Sequence, residues 1–291
     1  MPAGKLYPAL ASGITSRVTL ITGAAAGIGA ELARVFASHG HCLALVDRNA
    51  RGLAALADEL AAGGAAPIWV ACDLEHGDAC DRIAAVLASE GVEVEYVVNN
   101  AGFGLFGHAL ELDRAGQLDI IAVNIRALTD LSLRFSDQLI RHRGGILNLG
   151  SLAGFLPGPG MAVYYASKAY VLSFTEALRE ELAPHGVRVT ALCPGSVASD
   201  FQKRAGIAPG LEHEILKLSA RDVALAGYRG LMTNKRAVLP GLGMKVIPFL
   251  LRLFPRAIVA AAVARIQLRR RAPPAREAQP KRWMSAQRKS A

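Results

Sequence analysis

A tyrosine pair and a lysine lie close together in the stretch Tyr164-Tyr165-Ala166-Ser167-Lys168. In a helix, residues three or four positions apart share one face, so either tyrosine could lie beside the Lys168 ammonium. A phenol with a pKa of about 10 is a poor acid or base at neutral pH, and a neighbouring cation favours its phenolate. The stretch is therefore a candidate for proton transfer. Taken alone, the same spacing arises by chance in most proteins.

A glycine-rich turn, Thr22-Gly23-Ala24-Ala25-Ala26-Gly27-Ile28-Gly29, lies near the start of the chain. It follows the apolar run 18–21, which predicts a buried strand, and precedes residues 30–37, whose apolar spacing predicts a helix. Glycines let the backbone approach a pyrophosphate, which the free N–H groups and the dipole of the helix attract. The alternative is a turn with no ligand.

An acidic residue, Asp47, ends the second predicted strand, residues 41–46. About 20 residues beyond such a turn, an acid in this position accepts hydrogen bonds from the adenosine ribose of a dinucleotide. Its charge would repel a 2′-phosphate, which favours NAD, whereas the adjacent Arg48 could hold that phosphate. Asp47 could also cap the helix that follows.

Further motifs follow in the order found in the short-chain dehydrogenases/reductases, a family that the chain resembles over roughly residues 15–240. The glycine turn is followed by Asn99-Asn100-Ala101-Gly102, by Ser151 and, thirteen residues later, by a Tyr-x-x-x-Lys pattern. That pattern selects Tyr164 over Tyr165. The later stretch 193–197 resembles a segment that lines the nicotinamide in this family.

The resemblance implies reversible hydride transfer between a nicotinamide and a carbinol or carbonyl carbon, without a metal. It implies that Tyr164 is the general acid/base and that Lys168 favours its phenolate and binds the nicotinamide ribose. Ser151 would donate a hydrogen bond to the substrate oxygen. Asn124 would hold a water that relays protons, although a helical Asn can also be satisfied by a neighbouring backbone group.

The resemblance also implies dinucleotide contacts from the glycine turn, the strand ends and the segment after the sixth strand. These positions are Thr22, Gly23, Ala25, Gly27, Ile28, Gly29, Asp47, Arg48, Asp73, Leu74, Asn100, Ala101, Gly102, Tyr164, Lys168, Pro194, Gly195, Val197 and Ser199. Ser199 stands where the family usually has Thr. Ala26 occupies a position that is often basic in NADP-preferring members, so the predicted cofactor is NAD, with NADP as the alternative.

Strand and helix patterns alternate along the chain, which predicts an α/β fold with a doubly wound parallel sheet, Rossmann-like and flanked by helices. One continuous helix is predicted over 114–141, ended by Gly144-Gly145, and a mobile loop with a short helix over 198–218. We expect a lead at 1–15, a single catalytic domain at 16–240 and an apolar, basic extension at 241–291, disordered from about 270.

The composition allows a large core, because 52% of the 291 residues are hydrophobic. We see no secretory signal, no uncharged apolar run of about 18 residues and no paired metal spacing among the four cysteines. These features predict a cytoplasmic protein with buried thiols and no disulfides. Most of the net charge of +9 lies in residues 267–291, which carry +7, so it says little about the substrate of the catalytic domain. This tail lacks interleaved aromatic residues beyond Trp283, so no specific nucleic-acid partner is predicted.

Apolar residues near the expected pocket predict an apolar alcohol or ketone as substrate, steroid-, acyl- or lipid-like. These apolar residues are Phe103, Phe106, Leu152, Phe155, Leu156 and Met161. The residues assigned to the substrate are Ser151 and Tyr164, together with the apolar Phe103, Phe155 and Met161. Core packing is the alternative for each of these apolar residues. The competing function is a non-catalytic, cofactor-binding sensor or scaffold, which the loss of a catalytic group would favour.

The expected partners are further copies of the chain, as a homodimer or homotetramer. Residues 241–271 combine apolar runs with basic residues, which predicts a peripheral membrane contact that leaves the basic side chains at the headgroups. The alternative is that the same segments pack on the domain or on a second subunit.

Overall fold

The computed structural model, which describes residues 16–64, 66–195, 197, 205, 218–241 and 254–269, is built around a seven-stranded parallel sheet. The strands are β1 (Ser16–Thr22), β2 (Leu43–Asp47), β3 (Ile68–Ala71), β4 (Val92–Asn99), β5 (Gly145–Leu149), β6 (Arg188–Leu192) and β7 (Ala237–Val238). Their order across the sheet is β3-β2-β1-β4-β5-β6-β7. The order therefore reverses between β1 and β4, where open α/β sheets bind ligands beyond the carboxyl ends of the strands. The predicted fold class is confirmed.

Helices cover both faces of this sheet. They are α1 (Gly27–Ser38), α2 (Ala50–Ala61), α3 (Ala79–Ser89), α4 (Arg114–Ile121), α5 (Leu128–Arg134), α6 (Ser136–His142), α7 (Ala162–Leu182), α8 (Ala220–Met232) and α9 (Arg256–Arg269). Short 3₁₀ helices lie at Leu152–Phe155 and Ala183–His185. The helix predicted over about 220–232 is confirmed as α8.

The core consists of two apolar layers, one on each face of the sheet. Successive strand residues point to opposite faces, so Leu20 and Val97 join the layer of α3 to α7, whereas Ile21 and Val98 join the layer of α1, α2 and α8. All four side chains are almost fully buried. Burial on both faces explains why these strands form continuous apolar runs in the sequence.

The continuous helix predicted over 114–141 is wrong. A π-helical turn at Ala122–Ala127 separates α4 from α5, and Phe135 separates α5 from α6. Apolar spacing indicates which side of a helix is buried, but it does not reveal the one extra residue that a π-helical turn contains. Asn124 lies within the π turn, a feature often found at functional sites.

The end of α6 differs in detail from the prediction. Arg143, rather than a glycine, takes the left-handed conformation, with φ at 49°. Gly144 passes so close to β4 that a Cβ there would lie 1.7 Å from the Glu95 carbonyl oxygen. Gly145 already belongs to β5. The glycine pair therefore allows the chain to pass close to β4 and does not cap α6.

Several predictions lie outside the described residues. They concern the lead at 1–15, the loop over 198–218 except for residues 205 and 218, and the tail beyond 269. The four cysteines are free thiols, and Cys42 is only half-buried whereas Cys72, Cys80 and Cys193 are buried. Within the described ranges, no helix is long and apolar enough to cross a bilayer.

Candidate active site

The glycine turn brings the start of α1 against the ends of β1 and β4. Gly23 has a positive φ of 65°, and a Cβ there would lie 2.9 Å from the Ala101 Cα. At Gly29 a Cβ would lie 2.0 Å from the Gly23 carbonyl oxygen. No side chain fits at either position, so these glycines permit the close packing of strand and helix that a dinucleotide-binding turn requires.

Thr22 and Asn100 join the ends of β1 and β4. The Thr22 hydroxyl accepts hydrogen bonds from the backbone N–H groups of Asn100 and Ala101, both at 3.1 Å. The Asn100 amide donates to the carbonyl oxygens of Thr22 at 2.9 Å and Gly23 at 3.1 Å. Both side chains therefore bind the protein itself, and only Asn100 also lines the cleft described next.

A cleft of about 470 Å³ runs along the carboxyl ends of the strands. Its walls include twelve of the residues assigned from the sequence to the cofactor or the substrate, namely Gly23, Gly27, Ile28, Gly29, Asp47, Arg48, Asp73, Leu74, Asn100, Ala101, Gly102 and Phe103. The remaining walls are not among the residues assigned from the sequence. They are Ala26, Val46, Cys72, Glu75, Leu105, Val123 and Leu149. The predicted positions therefore converge on one elongated cavity.

One end of the cleft is acidic. Asp47 accepts hydrogen bonds from the backbone N–H groups of Ala25 at 3.1 Å and Asn49 at 2.9 Å, so it braces the glycine turn. Asn49, not Asp47, caps α2. The Arg48 guanidinium lies 2.9 Å from a Glu75 carboxylate oxygen and 3.6 Å from one of Asp73. Three carboxylates thus line this end of the cleft, and two of them, Asp73 and Glu75, face the Arg48 guanidinium. Glu75 follows the predicted Asp73 by two residues, which is the sequence signal that could have identified it.

Asn124 is buried in the π turn, and its side-chain amide is bound to protein on both sides. Its Oδ1 accepts from the Phe103 N–H at 3.1 Å, and its Nδ2 donates to the Phe103 carbonyl at 3.0 Å and to the Ser167 hydroxyl at 3.0 Å. The side chain therefore fixes the backbone that leaves β4. These bonds match the alternative in which a backbone group satisfies the Asn side chain. The role of Asn124 in holding a proton-relay water stays a prediction.

Lys168 lies on α7 at the inner end of the cleft. Its Nζ donates to the Leu149 carbonyl at 2.7 Å and lies over the Tyr164 ring, 5.9 Å from the centroid. A Cβ on Gly102 would lie 3.4 Å from this Nζ and 3.0 Å from Asn124 Oδ1, so the two side chains converge at the end of β4. Burial lowers the pKa of Lys168 to about 8.

Tyr164 lies one helical turn before Lys168, beside Ser151. Burial raises the pKa of the Tyr164 phenol to about 12, a hydrogen bond with Ser151 acts in the opposite direction, and Tyr165 adds to the increase. From the sequence we expected Lys168 to lower this pKa. In the protein by itself, the loss of solvation outweighs the Ser151 hydrogen bond, so the pKa is raised instead.

The two tyrosines are now distinguished by their contacts. Tyr164 faces Ser151 and Lys168, whereas the Tyr165 hydroxyl accepts a hydrogen bond from Gln267 on α9. The Ser151 hydroxyl also accepts from the Ala153 N–H at 3.1 Å, which fixes it at the start of the first 3₁₀ helix. The serine, the lysine and Tyr164 therefore form one group, as the Tyr-x-x-x-Lys pattern implies.

The remaining predicted contacts lie around this group. The Pro194 carbonyl accepts from the Leu152 N–H at 3.1 Å, and Val197 is buried beside Leu218. Gly195 follows β6, and Ser199 is outside the described residues. Their contacts with the cofactor stay predictions.

The three apolar residues assigned to the substrate have different surroundings. Phe155 packs against the small cluster of Leu172, Ala191 and Cys193, which agrees with the core-packing alternative. A Cβ on Gly104 would lie 3.0 Å from the Met161 Cε and 2.9 Å from the Tyr164 ring. Met161 is thus beside Tyr164, and Phe103 lines the cleft. Gly104 is a further residue that the sequence reasoning missed.

A parallel sheet with a cleft at its switch point and a Ser–Tyr–Lys group beside it defines a dinucleotide-binding oxidoreductase. The family model described as short chain dehydrogenase matches residues 17–208. The chain therefore belongs to the short-chain dehydrogenase/reductase family. Over the described residues, no cluster of three or more His, Cys, Asp or Glu side chains could hold a metal ion.

Individual proteins support this assignment. Galactitol 2-dehydrogenase (L-tagatose-forming) of Cereibacter sphaeroides is 40% identical over 184 residues, which cover 62% of this chain and 71% of that protein. A short-chain dehydrogenase from Sphingobium yanoikuyae, solved with NADPH, has a TM-score of 0.73 and 30% identity, covering 90% of this chain and 99% of that one.

A second solved structure, a short-chain dehydrogenase/reductase from Burkholderia phymatum with NAD, has a TM-score of 0.71 and 29% identity. It covers 82% of this chain and 92% of its own. Since these neighbours hold NADPH and NAD, the predicted cofactor class is confirmed as NAD(P).

Proposed function

We propose that this oxidoreductase interconverts an apolar alcohol and its ketone, with Tyr164 as general acid/base. The observation that carries the proposal is the position of Tyr164. It lies between the Ser151 hydroxyl and the Lys168 ammonium at the Leu149 and Gly102 end of the cleft. A proton donor beside a dinucleotide cleft is what carbonyl reduction needs.

The described residues fit a dinucleotide. The turn admits no side chain at Gly23 or Gly29, the acidic end suits a ribose, and the cleft continues to the residues around Lys168. When bound, the nicotinamide supplies or accepts the hydride. The glycine turn would receive the pyrophosphate, Asp47 would accept from the adenosine ribose, and Lys168 would bind the nicotinamide ribose.

The protein must then move one proton. In reduction, the carbonyl carbon gains the hydride and the carbonyl oxygen gains the Tyr164 proton, which leaves a phenolate. Ser151 donates a hydrogen bond to the substrate oxygen as negative charge develops there. The Lys168 ammonium favours the phenolate, and Asn124 holds the Phe103 backbone at the rim of the site. In oxidation, each step is reversed.

The preferred cofactor in this proposal is NAD. A 2′-phosphate on the adenosine ribose would meet Asp47, Asp73 and Glu75, whose negative charges repel it. Arg48 could offset this repulsion, but its guanidinium is already paired with Glu75. Ala26 adds no cation on the other side of the site.

The apolar substrate class rests on the surroundings of Tyr164. Phe103 and Leu105 line the cleft, and Met161 lies beside the tyrosine ring across Gly104. None of these side chains offers a hydrogen bond to a polyol, whereas each can bury apolar surface of a steroid-, acyl- or lipid-like substrate.

The expected assembly is a homodimer or homotetramer. Exposed Leu118, Ile121, Leu133 and Tyr170 on α4, α5 and α7 support it, and light scattering after gel filtration would measure it.

A peripheral membrane contact through 241–271 is the second part of the proposal. Ile258 and Ile266 on α9 are more than half exposed and lie eight residues apart, so they share one side of the helix, and Phe254, two residues before the helix, is more than half exposed as well. Basic residues on this segment add about 1 kcal/mol each on anionic lipid. The chain should therefore sediment with anionic vesicles at low salt. An absence of binding, or equal binding after truncation at about residue 240, contradicts the contact.

A screen of alcohols and ketones with NAD(H) and NADP(H), followed by the dinucleotide absorbance, tests the activity. The proposal expects turnover with apolar, bulky members of the panel and a higher kcat/KM with NAD(H). Turnover confined to small polyols would overturn the substrate class. Dinucleotide binding without turnover on any member would favour the non-catalytic sensor.

A further inference from the structure

The last described helix, α9, approaches the domain through one face. Val259, Ala260, Val263 and Ala264 are half-buried and Gln267 is buried, whereas the other side chains described on this helix are exposed. Positions 259, 263 and 267 succeed one another at four-residue intervals, so they form one row. The row is apolar except for its last member.

Gln267 makes a specific contact with the active-site helix. Its Nε2 donates to the Tyr165 hydroxyl at 2.5 Å, across 102 residues of sequence. Its side chain is only 8% exposed, and its Oε1 is buried with no hydrogen-bond partner in the part of the chain that the structure describes. Burying an unsatisfied amide oxygen destabilises the fold. An apolar residue would avoid this destabilisation, so the hydrogen bond to Tyr165 is what distinguishes glutamine here.

The Tyr165 ring packs against two parts of the proposed site. It meets the Tyr164 ring edge-on, with centroids 6.0 Å apart. The same ring covers Gly158, where a Cβ would lie 2.1 Å from its nearest atom. Gly158 lies in the segment that leads to Met161, beside the Tyr164 ring. Holding the Tyr165 hydroxyl therefore restrains both the acid/base and a wall of its pocket.

We propose that Gln267 is a positioning residue of the active site, acting from the C-terminal helix through Tyr165. This rests on the proposed function, because it concerns the substrate that reacts at Tyr164. Gln267 lies beyond the 17–208 region matched by the family model. The expected consequence of its loss is weaker productive binding of bulky substrates, with an unchanged dinucleotide site, since neither Gln267 nor Tyr165 lines the cleft.

A double-mutant cycle tests the proposal in the full chain, with Gln267→Leu, Tyr165→Phe and the double variant. Ala262→Ser, at an exposed position on the same helix, is the matched control. We expect Gln267→Leu to raise KM for a bulky ketone about tenfold, the effect of one hydrogen bond, while the NADH dissociation constant stays unchanged. The double variant should equal Tyr165→Phe alone, because either change removes the same contact.

Trypsin cleavage after the exposed Arg256 gives a readout that needs no turnover. Gln267→Leu and Tyr165→Phe should speed this cleavage equally, and Ala262→Ser should not. Kinetics of Gln267→Leu that match the control, or additive effects in the double variant, would overturn the proposal. If the wild-type protein turned over no carbonyl substrate, the proposed function would fail. The cleavage rates would still decide whether Gln267 and Tyr165 act as a pair.

Discussion

The cofactor side and the substrate side of this site are built in different ways. On the cofactor side, each functional group lies at the end of a strand or in the turn that follows it, and sheet order alone brings these groups together. On the substrate side, neighbours come from distant parts of the chain, such as Gly104 with Tyr164 and Gln267 with Tyr165. Local motifs therefore encode the first side, whereas tertiary packing creates the second.

The largest effect should follow a change at the junction of the two sides. Tyr164→Phe removes only the transferable proton, so turnover should fall by about 10²–10⁴-fold. The NADH dissociation constant, measured by fluorescence titration, should stay close to the wild-type value. Tyr165→Phe is the matched control and should be much milder. Turnover of Tyr164→Phe near the wild-type rate would show that another group transfers the proton.

A second prediction uses the buried Lys168, whose pKa is lowered to about 8 by burial. The unfolded chain holds this proton up to a pKa of about 10.4, so burying the charge costs stability below pH 8 and no longer does above pH 10.4. The free energy of unfolding of wild type relative to Lys168→Met should therefore rise by about 3 kcal/mol from pH 7 to 10.5. Urea unfolding at several pH values measures it, and a constant difference would contradict the buried, shifted amine.

Gly104→Ala sharpens the view that the substrate side depends on tertiary packing. The added Cβ would lie 2.9 Å from the Tyr164 ring, so the acid/base must move, and we expect kcat/KM to fall by about tenfold to a hundredfold. Gly77→Ala is the control, because, its chain neighbours apart, none of the described residues has an atom within 4 Å of the Cβ built there. Equal activity of the two variants would show that the Tyr164 position tolerates displacement.

The smallest effect concerns cofactor choice. Asp47→Asn keeps an oxygen that can accept from the Ala25 or Asn49 N–H but removes the charge. The ratio of kcat/KM for NAD to that for NADP should fall about tenfold, since repulsion of the 2′-phosphate is reduced. Glu59→Gln, at an exposed ion pair with Arg34, is a charge-matched control outside the cleft. An unchanged ratio in Asp47→Asn would indicate that Arg48 decides the preference.

The sequence predicted the sheet because apolar strands alternate with amphipathic helices, and it predicted most walls of the cleft because these follow strand ends. It could not predict the π turn at Asn124, since apolar spacing does not reveal a hydrogen bond from i to i+5. Nor could it predict the pKa of Tyr164, because the loss of solvation on burial outweighs the hydrogen bond with Ser151. Gln267 belongs to no motif, and only the packed structure brings it to Tyr165.

Transfer of isotope from the cofactor tests the central claim most directly. NADH deuterated at both nicotinamide C4 positions would be incubated with the wild-type protein and a panel of bulky apolar ketones, and the products analysed by mass spectrometry. We expect one deuterium at the carbinol carbon of the product formed by the wild-type protein, and almost none with Tyr164→Phe. Binding of the labelled NADH without deuterium in any product would contradict the central claim.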